Sequence, residues 1–98
     1  MSWALEHLTA DQRERVFRDL LRQTGREVVS TSSGGRNLVC RCPIPGHEDH
    51  NPSFGYHLDK DLWACGTCGG SDLVNLFARV QGMTDAAALL ALKRLHGL

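Results

Sequence analysis

The sequence lacks a long apolar run, an excess of either charge and much aromatic surface. Nothing in its 98 residues approaches the roughly 20 consecutive apolar positions that a membrane-spanning helix needs. Met1-Ser2-Trp3-Ala4-Leu5-Glu6-His7 has neither the basic start nor the apolar core of a secretory leader, so the chain is expected in the cytosol. Eleven Lys plus Arg balance eleven Asp plus Glu, with seven of each sign in residues 1–50 and four of each in residues 51–98. That balance excludes a general nucleic-acid coat, and any contact with a polyanion must come from a local face. Two Trp, one Tyr and three Phe in so short a chain imply a modest core, for which an extra staple would help. A hydrophobic fraction of 42% without net charge still excludes wholesale disorder, and one domain is expected.

What is present is well punctuated. Thr9-Ala10-Asp11-Gln12 is a capping box, and Val16, Phe17, Leu20 and Leu21 follow at helical spacing until Thr24-Gly25 stops the run. Arg13, Glu14, Arg15, Arg18, Asp19 and Arg22 fall on the other side and are expected in solvent. Residues 27–31 and 37–41 are short strand-like runs around the turn cluster Ser32-Ser33-Gly34-Gly35, and residues 53–57 and 62–65 flank a second connection, Leu58-Asp59-Lys60-Asp61. The middle therefore predicts a small antiparallel sheet. Ser71 is placed to cap a helix carrying Leu73, Leu76, Phe77 and Val80 that ends at Gly82, and Thr84-Asp85 opens another rich in Ala and Leu. The expectation is an α+β fold with one N-terminal helix, residues 1–24, followed by residues 25–98 as a sheet with two C-terminal helices.

Four cysteines supply the staple. In a reducing compartment they read as metal ligands rather than disulfides. Cys65-Gly66-Thr67-Cys68-Gly69 is a Cys-x-x-Cys-Gly loop, in which two thiolates reach one metal from a tight turn. Upstream, Cys40-Arg41-Cys42-Pro43-Ile44-Pro45-Gly46-His47 offers two thiols and an imidazole, so five donors compete for four tetrahedral places. Cys42, His47, Cys65 and Cys68 are the preferred set for one structural zinc ion. Cys40, on the same side of its strand as Leu38, reads as core packing, and His50 stands as an alternative to His47 or as its hydrogen-bonding neighbour. A redox role for Cys65 and Cys68 fits poorly, because such pairs open a helix in a parallel βαβ setting.

At these residues the sequence resembles the N-terminal zinc-binding domain of bacterial and phage DNA primases, the class with a Cys-His-Cys-Cys site. Gly35-Arg36-Asn37 matches the family's Gly-Lys/Arg-Asn lead-in, Cys42-Pro43 with His47 its Cys-Pro-x-His, and Asn51-Pro52-Ser53-Phe54 its Thr-Pro-Ser-Phe. Lys60, Trp63, Cys65 and Cys68 match Lys-x-x-Tyr-x-Cys-x-x-Cys, and the likeness extends over roughly residues 25–98. Departures include two extra residues between Cys42 and His47 and a loop after Cys68 one residue shorter.

The resemblance implies a module that reads single-stranded template DNA for primer synthesis without catalysing it. It would work with a primase catalytic domain or replicative helicase, in cis or in trans. Single-strand binding asks for aromatics to stack bases and cations for phosphates, which nominates Tyr56 and Trp63 with Arg36, Arg41 and Lys60, and Arg26 beside them. Neutral net charge predicts weak, salt-sensitive binding. The competing expectation is a zinc-ribbon scaffold for protein–protein contact in a phage or mobile-element replication complex.

Overall fold

The computed structural model of the chain describes residues 2–46 and 51–98. Its elements follow the punctuation of the sequence. A short helix α1 (Trp3–His7) is capped by Ser2, whose side chain accepts from the Leu5 N–H. Helix α2 (Ala10–Gln23) starts at the Thr9 capping box: Thr9 Oγ1 accepts from the Gln12 N–H at 3.1 Å and Gln12 Oε1 accepts from the Thr9 N–H at 2.8 Å. Both orphan donors are thereby satisfied. Val16, Phe17, Leu20 and Leu21 are its buried stripe.

Arg13 departs from its expected place in solvent. It is buried, and its guanidinium donates to the carbonyls of Leu58, Ala4 and Leu8, tying α1, α2 and the sheet together. Arg18 and Arg22 do lie outside, paired with Glu14 and Asp19.

Strands β1 (Val28–Ser32), β2 (Asn37–Cys40), β3 (Phe54–His57), β4 (Leu62–Cys65) and β5 (Gly69–Ser71) form one antiparallel sheet in the order of the chain. The two expected hairpins are therefore continuous, because β2 pairs with β3 in the register Leu38↔Tyr56 and Cys40↔Phe54. β5 carries Gly69 and Gly70, and only glycine fits at 70: a Cβ there would lie 2.6 Å from the Trp63 carbonyl oxygen. Helix α3 (Leu73–Gln81) begins one residue later than expected. Ser71 is spent pairing with Trp63, so Asp72 caps, accepting from the Asn75 N–H at 2.9 Å. Gly82 ends α3 in the left-handed region at φ 71°, and Thr84 caps α4 (Asp85–Leu95).

Period-two alternation divides the sheet into two faces. Leu38, Cys40, Phe54, Tyr56, Trp63 and Cys65 point towards the helices and are buried. The rings of Phe17 and Phe54 lie 6.0 Å apart, those of Phe17 and Tyr56 4.9 Å, and those of Phe54 and Trp63 5.4 Å, so one aromatic column joins α2 to β4. Such pairs contribute about 0.5–1.5 kcal/mol each beyond their buried area. The other face, with Asn37, Val39, Gly55, Leu62, Ala64 and Gly70, carries no helix among the described residues and holds a shallow depression of about 550 Å³. Among the described residues no helix is long and apolar enough to cross a membrane.

Candidate functional site

Strand ends and turns bring the cysteines together. β2 runs out at Cys40, and Cys42-Pro43-Ile44 folds inward with all three residues buried. Across the sheet, β4 ends at Cys65, whose partner in β5 is Gly69, so Cys68 lies in a tight turn that Gly69 closes at φ 96°. The sulfur atoms of Cys42, Cys65 and Cys68 all lie within 4.8 Å of one another, with Cys42 and Cys68 3.8 Å apart. Tetrahedral zinc with Zn–S bonds of about 2.3 Å places its sulfurs about 3.8 Å apart. The donor set and its spacing fit such an ion.

Backbone N–H groups serve these sulfurs in the same way on both sides. The Ile44 N–H points at Cys42, and the Thr67 and Cys68 N–H groups point at Cys65. Burial pushes the Cys42 thiol up to about 12, only partly opposed by the Ile44 N–H and reinforced by the sulfurs of Cys65 and Cys68. Burial also acts on Cys65, but its two N–H donors and the neighbouring thiols outweigh it and hold this group below its ordinary value. Cys68 is raised, chiefly by burial. A metal bound by these groups as thiolates must displace their protons.

The structure brings three of the four expected ligands together. His47, the fourth, and its alternative His50 lie outside the described residues. Cys40 is buried in the sheet opposite Phe54 and is not a member of the sulfur cluster.

The nucleic-acid candidates divide differently. Contrary to the base-stacking role expected from the sequence, Tyr56 and Trp63 offer no ring face to a base, being 0% and 2% exposed. A sheet this small needs its large rings for the core. Tyr56 donates its hydroxyl to Asp61 at 2.7 Å, and Trp63 donates Nε1–H to the Asp72 carbonyl at 2.9 Å. Burial, and then the Asp61 carboxylate, push the Tyr56 phenol far above its usual value, so it stays protonated. Arg36 forms a two-pronged pair with Asp59, at 2.9 and 2.6 Å, across the ends of the two hairpins. That bond holds the Asp59 carboxyl below its ordinary value and raises Arg36. Arg41, just past β2, and Lys60, in the β3–β4 turn, are exposed.

Two further arginines touch the cysteine loops themselves. Arg26 Nε donates to the Cys42 carbonyl at 3.2 Å, and Arg79 Nη1 donates to the Cys68 carbonyl at 2.9 Å while its guanidinium lies 5.5 Å over the Trp63 ring. Nothing in the local sequence marks Arg79, which reads as one more polar position on an amphipathic helix.

A sequential five-stranded antiparallel sheet whose turns converge three cysteine sulfurs, backed by helices on one face, defines a small α+β domain of the zinc-ribbon class. No family profile matches the chain. Among curated proteins it is 32% identical to a DNA primase of Halalkalibacterium halodurans over 69 residues, 69% of this chain and 11% of that protein. A DNA primase of Enterococcus faecalis is 30% identical over 59 residues, 59% of this chain and 9% of the relative. A crystal structure of the zinc-binding and RNA polymerase domains of Aquifex aeolicus primase superposes with a TM-score of 0.61 at 23% identity, covering 90% of this chain and 21% of that one. In sequence, fold and cysteine cluster, the chain is similar to the zinc-binding domain of DNA primases. It spans about a tenth of the length of the curated relatives it matches.

Proposed function

We propose that this chain is a primase-type module that holds one structural zinc ion and binds single-stranded template DNA, leaving nucleotidyl transfer to a catalytic partner region. Cys42, Cys65 and Cys68 would hold the ion, with His47 as fourth ligand. Three thiolates suit zinc, and four protein ligands leave no open position for chemistry on the metal. Zinc here cross-links the ends of β2 and β4 and so stabilises the sheet.

The observation that carries the DNA reading is the sheet face left without a helix. Its floor at Ala64 and Gly70 is nearly free of side chains, so an extended strand can approach the backbone there, while the Asn37 amide covers Gly55. Val39 and Leu62 offer apolar contact and Asn37 a hydrogen-bonding amide, in place of the aromatic rings expected from the sequence. Arg41 stands past the metal end of β2 and Lys60 beyond the opposite end of β3, positions from which each can meet a phosphate. At about 3.3 Å per residue the intervening face accommodates only a few nucleotides. Binding will therefore be weak and salt-dependent, with few counterions released. The exposed side chains of Leu90, Leu95 and Leu98 favour the second reading, a scaffold that docks on another protein.

Fluorescence anisotropy of a labelled single-stranded oligonucleotide with the zinc-loaded chain separates the two. Binding at low salt is expected, with Arg41→Ala and Lys60→Ala each lowering the salt slope by about 1. Absence of binding at low salt, or binding that neither substitution changes, would refute the DNA reading.

A further inference from the structure

Both loops that supply the sulfur cluster are gripped from outside by an arginine, and the two arginines come from different parts of the fold. Arg26 lies in the connection between α2 and β1. Its backbone N–H donates to the Leu21 carbonyl at 2.8 Å, and Gly25 before it turns the chain through φ 69°, so the helix end itself fixes where Arg26 starts. From there Nε reaches the Cys42 carbonyl. Arg79 projects from α3 and is fixed on two sides, by the Cys68 carbonyl and by the face of Trp63, which is itself buried and anchored to Asp72. Each loop thus has one cation bonded to the backbone of one of its cysteines.

We infer that Arg26 and Arg79 are positioning residues of the metal centre, which orient the Cys42 and Cys68 loops and offset the negative charge of the loaded site. This rests on the reading of Cys42, Cys65 and Cys68 as zinc ligands. Three thiolates and a neutral imidazole around a divalent cation carry one net negative charge. In a chain without excess charge, that anion must find its counter-charge locally, and these two guanidiniums donate directly to the peptide groups of the ligating residues. A carbonyl held by a charged donor also loses torsional freedom, so each sulfur is presented to the metal with less to order on binding. Partners of this kind, one bond removed from the ligands, change metal affinity by about 10–100-fold when replaced.

The experiment measures the zinc dissociation constant of the full chain by competition with a chromophoric chelator, together with the thiolate-to-metal absorption of the cobalt-substituted protein. Arg79→Gln and Arg26→Gln are each expected to weaken zinc binding about 10–100-fold and to shift the cobalt band, while Arg79→Lys and Arg26→Lys, which keep the charge, are expected to lose less affinity than the Gln variants. Gln variants that bind zinc within twofold of the parent with an unchanged cobalt spectrum would overturn the inference. Lys variants that lose as much affinity as the Gln variants would overturn the charge-offset part of the inference, since they keep the cation and give up only the guanidinium donors and, for Arg79, its stacking on Trp63. Should one Gln variant fail to fold at saturating zinc, the Gln variant of the other arginine decides by the same criterion. A parent chain that binds no zinc would instead refute the metal reading, and this inference with it.

Discussion

Asp61 lies outside the sulfur cluster, yet its loss should be among the most damaging substitutions. The residue is fully buried in the β3–β4 turn at φ 50°. Its Oδ1 accepts from the Tyr56 hydroxyl at 2.7 Å and the Leu73 N–H at 3.1 Å, and Oδ2 accepts from Ser2 Oγ at 2.5 Å. One carboxylate therefore joins the first residue of α3, a central strand and the cap of α1. Asp61→Ala would leave the Tyr56 hydroxyl and the Leu73 N–H buried without acceptors, at about 1–3 kcal/mol each. Alanine in the left-handed region adds about 1 kcal/mol. The expected loss is about 3–7 kcal/mol, against about 5–15 kcal/mol for a whole domain. Urea unfolding of the zinc-loaded chain, followed by tryptophan fluorescence, measures it. Tyr56→Phe alone should cost about 1.5–3 kcal/mol, because the lost bond goes to a charged acceptor. In the Asp61→Ala background the same change should cost nothing or stabilise, since it removes an orphaned donor. If the two substitutions instead add to within about 0.5 kcal/mol, the hydrogen-bond argument is wrong. Asp61→Asn separates the terms, as Asn tolerates the backbone angle and keeps one acceptor oxygen.

Other expectations follow from the same contacts. Arg36 holds the Asp59 carboxyl below its ordinary value, so the pair contributes at pH values above the unfolded carboxyl's midpoint and is lost as pH falls through the depressed folded value. A carboxyl-carbon NMR titration should show that low midpoint and its return towards about 3.9 in Arg36→Ala; an unmoved midpoint would sink the assignment. Both side chains are at the surface, so global stability should barely respond. Cys65→Ser should purify without zinc and Cys40→Ser with one ion per chain, by elemental analysis; the opposite pattern would reverse the ligand assignment. Chelation should abolish the sheet signal in circular dichroism, because forming the site and folding the strands around it are coupled.

Much of this fold was legible because its signals are local. The Thr9 capping box, Gly82 and Thr84 fall where the chain has to start or stop a helix, and Leu62–Cys65 begins and ends where its alternation does. The cysteine loops were legible for the same reason, since Cys-x-x-Cys needs only a turn. What escaped notice depends on distant partners. Helix α1 has five residues, too few to hold alone, and is secured by Arg13 and Asp61. β5 has no strand-forming residue and exists because the turn around Cys68 delivers it to β4. Tyr56 and Trp63 have the composition of a stacking platform, and their inward facing depends on rings met across the core, Phe17 of α2 against Tyr56 and Phe54 against Trp63.

The margins of the sheet carry a consequence for how anything can assemble with it. β1 is bulged between Val28 and Ser30, and β5 is three residues long with two glycines. Neither border presents a straight, regular ladder of unsatisfied amides, so an incoming strand finds no template for lateral growth. The domain is in this sense sealed at its sides. Fibril-like stacking and peptide capture by strand addition are both disfavoured, and a partner is directed onto the broad uncovered face or the helices.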